Sequence, residues 1–178
     1  MGAQGVAIGS DPAPYRLEYT LETAESFLTA RVTVNVTGDG WGRGLDLRRA
    51  ENEWTAEAEQ SGRESGLPAP GGDLDALRDA LDPDLGLSPL FNSMPLLRNG
   101  LHRGGTEDFL MVWISVPDLS LHASPQRYTH LSSSKGVHLV RFEATGDGED
   151  FVADVQFDDD GLVLDYPGIA TRLLTAAG

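Results

Sequence analysis

The sequence predicts a mostly β protein with one main α-helix. A single curved antiparallel sheet, a β-roll, is expected to wrap around that helix as one domain over residues 1–178. Two observations carry this reading. Apolar and polar residues alternate strictly through many short segments separated by Gly, Asp and Pro, the pattern of half-buried antiparallel strands. One run, Phe109–Val116 (FLMVWISV), is apolar at nearly every position, so it needs cover on both faces.

Residues 1–13 are expected to be flexible. Tyr15, Leu17, Tyr19 and Leu21 then mark a strand, and Ala30, Val32, Val34 and Val36 alternate with Thr29, Arg31, Thr33 and Asn35 to mark another. Strands follow at Leu45–Arg49 and Glu53–Ala58, and Gly62–Gly72 reads as a flexible loop. Ser88–Gly100 (SPLFNSMPLLRNG) reads as the helix: Ser88 at the N-cap, Pro89 in the first turn, Gly100 as the stop. Leu90, Met94, Leu97 and Leu101 fall on one helical face. Pro95 would free the Phe91 carbonyl, which predicts a kink or a helix that starts only near Met94. Further strands are expected at Leu119–Ala123, Arg127–Leu131, Val137–Glu143 and Phe151–Phe157, the first two joined by a turn at Ser124–Arg127. Asp159-Asp160-Gly161 is a hairpin turn leading into Leu162–Tyr166, and tight turns fall at Thr37–Gly40 and Thr145–Gly148.

Composition removes several functional classes. The chain contains no cysteine, which excludes disulfides, thiolate metal sites and cysteine nucleophiles. Its formal net charge of −15 repels phosphate backbones and anionic membranes, so no nucleic-acid partner is expected. MGAQGVAIGS lacks a basic n-region and a sustained apolar stretch, and no apolar run reaches membrane-spanning length. A cytoplasmic protein without stable membrane insertion is the expectation. Charge is unevenly placed: Gly86–Phe142 holds Arg98, Arg103, Arg127, Lys135 and Arg141 against Glu107, Asp108 and Asp118, a net of +2. All four histidines (His102, His122, His130, His138) lie there too. A basic, apolar middle in an acidic chain suits a pocket for an amphiphile, and equally a core segment that simply carries fewer acids.

Few motifs carry chemistry. GDGWGRG at Gly38–Gly44 fails the dinucleotide spacing and leads into a strand, so it reads as a loop. Asp158-Asp159-Asp160-Gly161 has consecutive rather than alternate carboxylates and reads as a turn, not a calcium loop. Across a hairpin centred on Gln126, His122 and His130 would face each other, but no third metal ligand stands at a fixed spacing. There is no G-x-S-x-G elbow and no H-E-x-x-H, so no catalytic residue, metal or cofactor is assigned. A hydrolase using His122 or His130 as base is the weakest alternative.

Ser88, Pro89, Asn92, Ser93, Pro95 and Arg98 together resemble the T-P-x-x-N-T-x-P-x-R-R signature of a bacterial glycolipid-binding family, long known as a domain of unknown function. Val116-Pro117-Asp118-Leu119, Gln126-Arg127-Tyr128-Thr129, Phe151-x-Ala153-x-Val155 and Asp160-Gly161-Leu162-Val163-x-x-Tyr166-Pro167-Gly168 agree in order. Leu97 stands where the family has the first Arg of its pair, and the Asp-Gly-Cys expected around Asp79–Pro83 is missing. The resemblance implies a spiral β-roll around one helix and a non-enzymatic binding domain for a lipid or glycolipid. On that reading Phe91, Met94, Phe109 and Trp113 line the apolar part. Arg98, Arg127 and Tyr128 meet the head group, and Asn92 orients it. The alternative is a structural or interaction module with a filled core, in which exposed aromatics such as Trp41 or Trp54 mark a homodimer surface.

Overall fold

The structure, a computed structural model, describes residues 1–51, 53–145 and 150–173. Residues 146–148 of the turn expected at Thr145–Gly148 lie outside the described residues. The fold is mostly β with one main α-helix. The strands are β1 (Gly2–Gly9), β2 (Tyr15–Thr23), β3 (Thr29–Gly38), β4 (Trp41–Ala50), β5 (Glu53–Gly62), β6 (Asp82–Leu85), β7 (Thr106–Ile114), β8 (Leu121–Ser134), β9 (Val137–Ala144), β10 (Phe151–Phe157), β11 (Val163–Tyr166) and β12 (Ala170–Thr171). Where one sheet was expected, hydrogen bonding sorts the strands into two. Five follow the order β1-β2-β3-β4-β5 and seven the order β12-β11-β10-β9-β8-β7-β6. Two compact units result: Met1–Gly86 with Leu110–Ala123, and Leu87–Phe109 with Ser124–Gly178.

The first unit is built on an antiparallel meander. Leu17 pairs with Val36 and Leu21 with Val32, while Val32 and Val34 meet Leu47 and Leu45 on β4. All seven are buried, so alternation in three strands produces one dry face. Residues 1–13, expected to be flexible, contain β1, which pairs residue for residue with β2 from Gly2↔Glu22 to Gly9↔Tyr15. No β1 residue is fully buried, which is why its hydrophobic pattern is faint. The GDGWGRG segment is a two-residue turn at Asp39-Gly40, with Gly40 at φ +75° and β4 beginning at Trp41. Strand β6 pairs in parallel with β7, Asp82↔Met111 to Leu85↔Ile114. Buried Asp82 accepts from both the amide (3.2 Å) and the hydroxyl (3.0 Å) of Thr29. Met111 and Val112 are neighbours on β7 and both have no exposed surface, so both faces of that run are covered, as its unbroken apolarity requires.

The second unit packs the helix on a sheet. Pro89–Asn92 forms a 3₁₀ turn, and α1 (Ser93–Asn99) follows directly, ended by Gly100 in the left-handed conformation (φ +66°). Pro95 therefore sits in the first turn of α1, where its missing N–H is harmless. Ser88 makes no side-chain cap. The Leu101 amide closes the end onto the Leu96 carbonyl at 3.0 Å. Leu96 and Leu101 pack with Tyr128, Val140, Phe142, Val155, Phe157 and Tyr166 in one core. Register explains the grouping: Tyr128 is opposite Phe142, and Val140 is opposite Val155. The Asp-Gly hairpin joins β10 to β11, and Gly161 (φ +71°) lies so close to α1 that a Cβ there would meet Leu97 Cδ2 at 2.5 Å.

One expected turn does not exist. Residues 124–127 are part of the continuous strand β8, so His122 and His130 lie on one strand and do not face each other across a hairpin. The metal pairing considered for them loses its geometric basis.

Candidate functional site

In the helix-bearing unit, Gln126 and Tyr128 are two residues apart on β8 and share a face. Asn92 Nδ2 donates to the Tyr128 hydroxyl (2.9 Å), which donates in turn to Gln126 Oε1 (3.1 Å). All three side chains are buried, so this is a relay of satisfied polar groups inside an apolar cluster. Phe109 packs edge-on against Tyr128 with ring centroids 5.6 Å apart. The Arg98 guanidinium stands 6.0 Å from the Phe109 ring centroid, at the edge of cation–π range. Arg98 and Phe109 are half-buried, whereas Phe91 and Met94 are sealed. Asn92, Arg98, Phe109 and Tyr128 are thus brought together.

Arg127 does not join them. It lies between two inward-facing residues, so its side chain points the other way and makes a two-pronged contact with Asp108 at 2.6 and 2.9 Å. Both partners are exposed. Trp113 belongs to the other unit, where its indole would lie 3.2 Å from a Cβ at Gly86. Gln126 was missed, although its spacing from Tyr128 puts it on the same face.

Three of the four histidines gather beside the β8–β9 hairpin. Ser133 Oγ lies 2.8 Å from His138 Nδ1 and 3.3 Å from His130 Nε2, and His138 Nε2 lies 2.9 Å from Asp159 Oδ1. The buried His102 ring stands edge-on to His138, centroids 5.5 Å apart. Burial holds the His102 imidazole below its ordinary pKa, aided by Arg103 and His138 and opposed by the Leu96 carbonyl and Asp159. Serine, histidine and aspartate are the residue types of an acyl-transfer relay. Here, however, Ser133 and His138 are a cross-strand pair one step from the hairpin turn, and the Asp159 side chain is 77% exposed to competing water. The contacts fasten two hairpins together.

The first unit carries an open cleft of about 480 Å³. Its base is Trp41–Arg43 on β4 and Gln60–Gly62 on β5, and its wall is the loop 63–69. Arg43 is buried and ties that loop down. Its guanidinium donates to the Pro68 carbonyl, the Leu67 carbonyl (3.1 Å), Ser65 Oγ (2.9 Å) and the Asp118 carbonyl (2.7 Å). Burial raises the pKa of Asp118, but hydrogen bonds from Ser120 and Ser115 and the charge of Arg43 outweigh it and hold the carboxyl below its usual value. Gly62–Gly72, read as a flexible loop, is therefore anchored at its middle. Trp41 and Trp54 are 8% and 5% exposed, so the aromatic dimer surface expected from them is not there. Trp54 instead donates its indole N–H to the Ala80 carbonyl at 2.9 Å. Among the described residues, no group of three or more His, Asp or Glu is placed to hold a metal ion, and no helix is long and apolar enough to cross a membrane.

An alternating β architecture with a helix packed on one sheet defines a mostly β protein with one main α-helix. The chain belongs to the family described as "Putative glycolipid-binding", whose model matches residues 1–172. The resemblance read from Ser88 to Gly168 is thereby borne out. The fold is also similar to the 1.80 Å crystal structure of a DUF1089 family protein from Pseudomonas aeruginosa, with a TM-score of 0.74 and 25% identity over 97% of this chain and 92% of that one. None of the curated proteins matches the chain.

Proposed function

We propose that this protein binds an amphiphilic ligand of the lipid or glycolipid class without transforming it. The observation that carries the reading is the Arg98–Phe109 pair: a guanidinium held over a half-buried ring, in a chain matched along residues 1–172 by a glycolipid-binding family. A cation beside an apolar surface is what an amphiphile's head and upper chain require. Tyr128, Asn92 and Gln126 stand behind that pair as a fixed support, and Phe91 and Met94 serve as packing. Native mass spectrometry of freshly purified protein, compared with its denatured mass, tests the reading. A non-covalent adduct of lipid size, lost on denaturation and depleted in Phe109→Ala, is the expected result. An apo mass that stays unshifted after incubation with a total lipid extract would overturn it and favour the filled interaction module.

A further inference from the structure

We infer that the cleft of the first unit is a saccharide site in its own right, built for an uncharged mono- or disaccharide. Four features point to it. The first is preorganisation. Arg43 fixes Ser65, Leu67 and Pro68 from within, and Arg63, also in the wall, is held by the Asp39 carbonyl (2.7 Å) and carboxylate (3.2 Å). The Arg63 amide also reaches the Gly40 carbonyl at 2.7 Å, so the wall does not need to be ordered by a ligand.

The second feature is an aromatic edge in the base, since Trp41 is 8% exposed. A Cβ at Gly38 would stand 2.1 Å from the Trp41 indole, so only glycine lets the ring lie against β3, and the same indole lines the cleft. Glycine is required at a further point of the base. A Cβ at Gly62 would stand 2.3 Å from the Gly40 carbonyl oxygen, and the residue holds φ +78°. The third feature is unused hydrogen-bonding capacity. Gln60, Ser61 and Glu64 line the cleft, and none of them makes a side-chain hydrogen bond among the described residues. An amide, a hydroxyl and a carboxylate offer donors and acceptors together, which matches sugar hydroxyls that are themselves both. The fourth is charge: Arg43 and Arg63 line the cleft with Glu64, but Arg43 is engaged by loop carbonyls and Arg63 by Asp39, so in a chain at −15 the cleft disfavours phosphate and sulfate heads. A volume of about 480 Å³ has room for a mono- or disaccharide and lies within the ~300–1,000 Å³ typical of small-ligand pockets.

The test is ¹⁹F NMR of the full chain labelled with 5-fluorotryptophan. Trp41→Phe assigns the Trp41 resonance; if that variant does not fold, Trp54→Phe and Trp113→Phe assign it by elimination. Maltose and dodecyl β-maltoside below its micellar concentration are the probes, with laurate as the charged, sugar-free control. The Trp41 signal is expected to shift saturably with maltose and with dodecyl β-maltoside and not with laurate. Gln60→Ala and Glu64→Gln should each weaken the response about tenfold without lowering Tm, the loss of roughly one hydrogen bond. A static Trp41 signal while native mass spectra still show dodecyl maltoside bound would overturn the cleft and leave the proposed function standing. A shift with laurate equal to that with maltoside would make the cleft an apolar-chain site and likewise overturn the inference. If Trp41 stays static and no lipid adduct forms, both readings fall.

Discussion

The two units bury polar groups in opposite ways. In the first, Arg43 is enclosed by backbone carbonyls and one hydroxyl, and its hydrogen bonds shape an open cleft. In the second, the Asn92–Tyr128–Gln126 relay lies among rings and aliphatic side chains, and its hydrogen bonds run from one side chain to the next and on to Ser124 Oγ. Both follow the rule that buried polar groups must find partners. The difference lies in what the partners belong to. Carbonyls on a loop convert one side chain's hydrogen bonds into a preformed surface, whereas side chains on a strand and a helix turn convert them into core specificity.

Removing the clamp should have the largest effect. Arg43→Ala deletes a buried charged donor and its hydrogen bonds to the Leu67, Pro68 and Asp118 carbonyls and Ser65 Oγ, which is expected to cost about 3 kcal/mol. Urea unfolding would measure it, and a loss below that of an exposed arginine would show that the loop holds without Arg43. Next comes the relay. Tyr128→Phe keeps the ring and removes the hydroxyl between Asn92 and Gln126, at a cost of roughly 1–2 kcal/mol with the aromatic cluster intact. An unchanged urea midpoint would mean that those side chains re-pair or are hydrated.

A smaller effect is set by pH. His102 is neutral when folded because its pKa lies below the ordinary value near 6.5. Below that value the unfolded chain takes up a proton that the folded chain resists, so stability present above about pH 6.5 is lost as pH falls. Urea midpoints should decline from pH 7 to 5.5, and less steeply in His102→Gln. Equal slopes in the two proteins would remove His102 as the cause. The smallest effect belongs to Arg127→Ala. Its pair with Asp108 is exposed on both sides, so the change should be within ~0.5 kcal/mol and should not alter lipid adduct formation.

Particular residues show what was legible in the sequence. Val32, Val34 and Val36 announced β3 because one face is dry and the other wet, and the hairpin at Asp160-Gly161 announced itself by its turn chemistry. Strand β1 was not legible because it buries nothing completely, and β6 (DPDL) was not because Asp82 and Asp84 carry no strand signal. Asp82 is accommodated through Thr29, far away in the chain. Pro125 and Gln126 looked like a turn but lie inside β8, where pairing with β9 overrides local preference. Of the candidate site, Asn92, Arg98, Phe109 and Tyr128 were found from a family signature and a strand pattern. Arg127 was grouped with them because sequence proximity was taken for spatial proximity, although neighbouring residues on a strand face opposite ways. The cleft was invisible: nothing local in a Gly-rich loop reveals that an arginine some twenty residues earlier reaches its carbonyls.

The central claim is that the protein, already folded, binds a sugar-headed amphiphile. Hydrogen–deuterium exchange of the full chain with and without dodecyl β-maltoside below its micellar concentration tests it most directly. Protection confined to the loop 63–69 with the adjoining ends of β4 and β5, and to the segment around Arg98–Phe109, is the predicted result, with the β9–β10 core unchanged. Unchanged exchange throughout, or loss of protection across the core, would contradict it.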